Sequence, residues 1–71
     1  LTSTELIFEV NQEEDGGYCA QALGSDIFTQ ADTWDDLKNN VREAVSVHFD
    51  EGEDYPRIIR LHFVRDEVIA L

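Results

Sequence analysis

The residues of this chain that could do chemistry are few, and their spacing does not assemble them. Asp32, Asp35 and Asp36 place carboxylates close together, and paired carboxylates can hold a metal or share a proton. Such a pair must converge in a cleft. Thr33 followed three residues later by Asp36 reads instead as a helix N-cap of capping-box type, with acidic residues suiting the dipole of the first turn. Asp50-Glu51-Gly52-Glu53-Asp54 is rich in oxygen ligands, but it lacks the twelve-residue ligand spacing of a calcium loop and Pro56 interrupts it. Cys19 has no histidine close in sequence to activate it, so a small buried or half-buried thiol is expected. His48 and His62 have no aligned Cys, Ser or second His, which makes them weak grounds for acid–base work. The expectation is a protein that is not an enzyme, with no catalytic residue, no cofactor and no metal.

Binding is the chemistry left. Glu13-Glu14-Asp15 is either a solvated turn or an acidic finger that meets Arg or Lys on a partner. Tyr18 follows that turn, and Trp34 is a large amphipathic ring at the start of the helix, suited to the core edge or to anchoring an interface. Glu13, Glu14, Asp15, Tyr18 and Trp34 are the expected partner-contact residues. The chain carries 16 acidic against 5 basic residues, a formal net charge of -11. Phosphate backbones are bound through Lys and Arg, so direct nucleic-acid binding is not expected; a basic protein surface would attract this chain and an anionic membrane would repel it. No apolar run approaches the ~20 residues of a membrane span and no signal-peptide pattern is present, so a cytoplasmic location is expected. The chain begins at Leu1 and contains no methionine, which reads as a trimmed N-terminus.

The elements that must position these residues follow from periodicity. Thr4 to Val10 (TELIFEV) alternates Leu6, Phe8 and Val10 against Glu5 and Glu9, the pattern of a strand with one buried face. Asp15-Gly16-Gly17 is a strong hairpin signal because glycine tolerates positive φ. Tyr18–Leu23 is the return strand, and Ile27–Ala31 a short third. Trp34, Leu37, Val41, Ala44, Val45, His48 and Phe49 then recur at helical spacing, and Gly52 offers a stop. Arg57–Val64 alternates Ile59, Leu61 and Phe63 with Arg60 and His62, and Val68–Leu71 forms a further short strand or extends this one. The expectation is one domain, residues 1–71, of α+β class: a single antiparallel sheet in βββαβ order carrying one helix on one face. At 71 residues with a single cysteine, the core is thin and no internal disulfide supports it, which favours a homodimer.

The ordered set Phe8, Glu14-Asp15-Gly16-Gly17-Tyr18, Ala20, Thr29-Gln30-Ala31-Asp32-Thr33 and Asn40-Val41-Arg42-Glu43-Ala44 resembles the HicB-like antitoxins over Leu6 to Gly52. The resemblance implies a fold similar to a partial ribonuclease H fold without its catalytic carboxylates. It also implies a role in covering a small basic toxin that cleaves messenger RNA. Many such proteins carry a second, DNA-binding segment; here the expectation is a stand-alone domain. Ala22-Leu23-Gly24-Ser25-Asp26 replaces the Pro-Glu-Leu-Pro-Gly loop frequent in that family, so the partner-facing loop departs from its pattern. Three functions are in competition: a toxin-covering binding module, a structural self-associating domain with no client, and a small enzyme or accessory subunit. The missing catalytic set disfavours the last.

Overall fold

The computed structural model describes residues 5–49 and 56–71. Its elements are β1 (Glu5–Gln12), β2 (Tyr18–Ala22), β3 (Phe28–Ala31), α1 (Trp34–His48) and β4 (Ile58–Val64). The fold is α+β, with a four-stranded mixed sheet in the order β3-β2-β1-β4 and one helix among the described residues. Thr4, Gly52 and the Asp50–Asp54 run lie outside the described residues.

The chain order is βββαβ, but the sheet is not wholly antiparallel. β1 pairs antiparallel with β2 and β2 with β3, whereas β4 lies parallel to β1, with Leu6 beside Ile59 and Phe8 beside Leu61. The cause is topological. Two antiparallel steps leave β3 running the same way as β1, and a helical crossover returns the chain in that same direction. The expected strand at Val68–Leu71 is absent: residues 65–71 pair with nothing and are exposed.

Alternation sets the core. Leu6, Phe8 and Val10 of β1, Ala20 and Ala22 of β2, and Ile27 before β3 point to the helix side, where Leu37, Val41 and Val45 meet them. The two alanines of β2 leave room for the helix to approach closely, and α1 accordingly lies over β3 and β2. Beneath β4 the cover runs out. Ile59 and Leu61 are only half-buried and Phe63 is exposed.

The helix starts as its sequence requires. Thr33 Oγ1 accepts a hydrogen bond from the Asp36 backbone N–H at 3.1 Å, which satisfies one of the first-turn donors. It ends where Phe49 turns to extended backbone while its N–H still donates to Val45 O. His48 does not join the apolar stripe. It is exposed, with its ring edge-on to Phe49 at 5.0 Å.

Candidate protein-binding surface

Three aromatic rings meet at one end of the sheet. Tyr18 opens β2, Trp34 opens α1 and Phe63 lies near the end of β4. Their centroids are 5.4 Å (Tyr18–Trp34), 5.8 Å (Trp34–Phe63) and 6.0 Å (Tyr18–Phe63) apart, all edge-to-face. That geometry suits the ring quadrupoles, at about 0.5–1.5 kcal/mol per pair beyond area burial. Cross-strand register explains the meeting: Val10 of β1 stands beside Phe63, and Tyr18 is paired one strand over with Gln12 and Ala31. Tyr18 and Trp34 are half-buried, and Phe63 is 40% exposed. The cluster closes one end of the core and still offers ring surface to solvent.

Carboxylates rim it. The β1–β2 turn is held by Glu13 N–H donating to Gly17 O at 2.7 Å and Gly16 N–H donating to Glu13 O at 3.0 Å. Gly16 takes φ +94°, a conformation that disfavours side chains. Asp15 Oδ1 accepts from the Gly17 N–H at 2.9 Å, so this carboxylate organises the turn as an Asx turn does. A Cβ on Gly17 would stand 3.2 Å from Ala31 O, and glycine here lets the turn lie against the end of β3. A groove of about 330 Å³ follows, lined by Glu13, Asp15, Tyr18, Gln30 and Asp32. Asp35, on the first helical turn, pairs with Lys38 at 3.2 Å.

Of the residues expected to contact a partner, Glu13, Asp15 and Tyr18 share this groove, and Trp34 joins them through Tyr18. Glu14 does not line this groove; together with Glu13 it lines a second one with Val64, Arg65 and Asp66. Phe63 and Asp32 are the residues that sequence reasoning missed. Alternation assigns Phe63 only a strand face, and Asp32 stands among the paired carboxylates whose spacing reads as a helix start. The signal for Phe63 was its position at the end of β4, where a covering helix has little reach.

Exposed rings among carboxylates can hold a guanidinium or ammonium group by cation–π attraction and ion pairing. No group of three or more His, Cys, Asp or Glu among the described residues is placed to hold a metal ion. Cys19 and His62 both belong to the sheet face away from the helix, on strands separated by β1. No helix among the described residues is long and apolar enough to cross a membrane.

The fold and surface define a small α+β protein with an aromatic, acid-rimmed end. The chain belongs to the UPF0150 family. It is 41% identical to a UPF0150 protein of Thermotoga maritima over 70 residues, covering 99% of this chain and 97% of that protein. It is 55% identical to a UPF0150 protein of Archaeoglobus fulgidus over 48 residues, covering 68% of this chain and 71% of that one. No family model matches the chain, and no solved structure matches it.

Proposed function

We propose that this protein is a non-catalytic, antitoxin-like binding domain that covers a small basic, mRNA-cleaving toxin in the cytoplasm. The observation that carries this reading is the Tyr18–Trp34–Phe63 cluster with Glu13, Asp15 and Asp32 beside it. Rigid aromatic anchors inside an acidic rim suit a basic, arginine-bearing protein surface. The HicB-like resemblance over Leu6 to Gly52 supports the same reading. Inhibition would be occlusion: the net charge of -11 speeds encounter with the toxin, and the folded end of the sheet blocks its RNA-binding cleft.

The test is affinity capture from the native lysate, washed at rising salt and followed by mass spectrometry, with the captured protein assayed for mRNA cleavage. One small basic nuclease is expected, released as salt rises and silenced by a stoichiometric amount of this chain. Trp34→Ala and the pair Glu13→Lys with Asp32→Lys should each weaken binding at least about tenfold. Capture that ignores these substitutions, or a captured protein without nuclease activity, would sink the reading.

A further inference from the structure

The two edges of the sheet are not equally finished. β3 is four residues long, and the Asn40 side chain of α1 donates to Gln30 O at 3.0 Å, blocking part of that edge. β4 is seven residues long, with Ile59, Leu61 and Phe63 on the helix side and Ile58, Arg60, His62 and Val64 on the other. It pairs only with β1, and an open edge of this length is a template for pairing with another chain. Beside it, between β4 and α1, runs a groove of about 540 Å³ lined by Ile59, Val45 and Arg42. Beyond it the chain carries Val68, Ile69 and Leu71, with Val68 95% and Ile69 74% exposed.

We infer that in solution β4 is an interior strand, covered by the Val68–Leu71 arm of a second copy, each copy giving its arm to the other. This stands whether or not the toxin reading does. The arm has the required pattern. If the alternation of β4 continues, Ile69 and Leu71 fall in phase with Ile59, Leu61 and Phe63, and Val68 with Ile58 and Val64. In an antiparallel pairing, Ile69 and Leu71 of one copy then lie over the half-covered Leu61 and Ile59 of the other.

In this register Glu67 of one copy lies diagonal to Arg65 of the other, whereas the two Arg65 residues face each other and Arg57 and Arg60 meet no acid of the arm.

Sedimentation equilibrium of the full chain, with amide hydrogen exchange at dilute and concentrated protein, tests this. The expected mass is twice 8.1 kDa, with exchange across Ile58–Val64 slowing as concentration rises and exchange across Phe28–Ala31 unchanged. The combined variant Val68→Lys, Ile69→Lys, Leu71→Lys should weaken the dimer at least about a hundredfold. These side chains are exposed in the monomer, so its circular dichroism should match that of the parent. Val47→Lys, at an equally exposed helical site, should leave the dimer intact. A monomer at every concentration, a dimer that survives the triple variant, or slowing confined to β3 would overturn the inference.

Discussion

The half of the sheet under the helix and the half beside it are built from similar residues and end in different states. Under α1, Ala20 and Ala22 are sealed and Ile27 is 5% exposed, while the free edge of β3 is short and capped by Asn40. Beside α1, Ile59 and Leu61 are half-covered, Phe63 lies open at 40%, and the edge runs for seven residues. Hydrophobicity does not separate the halves, because β4 is the more apolar strand. Helix position does. Small alanines on β2 draw the helix toward them, and a single helix about 10 Å across cannot cover four strands spaced near 4.8 Å. One half is finished by the chain's own helix, and the other is left to another surface.

The largest expected effect comes from the sealed half. Leu37→Ala should lower unfolding stability by about 3 kcal/mol in a urea titration, since Leu37 is wholly buried and its loss leaves a cavity. Leu61→Ala, on the open half, should cost about 1 kcal/mol in the monomer, because part of that side chain is still in water. Equal losses would erase the distinction between the halves. Asn40→Ala sharpens it from the edges: the loss should be about 1 kcal/mol, and amide exchange should quicken at β3 and not at β4. Smallest of all is the Glu5–Arg60 pair, which spans β1 and β4 on the sheet face away from the helix. Its Arg60 partner is 62% exposed, so Arg60→Gln should change stability by less than about 1 kcal/mol, an effect that shrinks further in high salt.

Much of this arrangement was legible before any coordinates. Leu6, Phe8 and Val10 announced β1 and its buried face, Asp15-Gly16-Gly17 announced the hairpin, and Thr33 announced the helix start. Alternation reports which face a strand buries and says nothing of its neighbour or direction, so the parallel β1–β4 pair was out of reach. The same limit made Val68–Leu71 read as a strand: its composition is β-like, but a strand needs a partner, and this chain supplies none. In the candidate surface, Tyr18 and Trp34 were legible as amphipathic rings. Their union with Phe63 depends on the β1–β4 register, which composition does not carry. Glu13, Glu14 and Asp15 are adjacent in sequence, but of the three only Glu14 is missing from the groove beside Tyr18.

The parallel pair also dictates when the molecule can become whole. Glu5 and Arg60 meet across 55 positions of chain, whereas β1, β2 and β3 are joined by short turns. The local hairpins can close early, and the long-range pairing must wait for a much larger loop to shut. On a ribosome the order is enforced, since β4 is made after β1, β2, β3 and α1. Until it arrives, β1 is itself an unpaired edge, with Leu6, Phe8 and Val10 incompletely screened. The vulnerable moment in this protein's life is therefore its birth, and folding helpers or an early partner would find their substrate at β1.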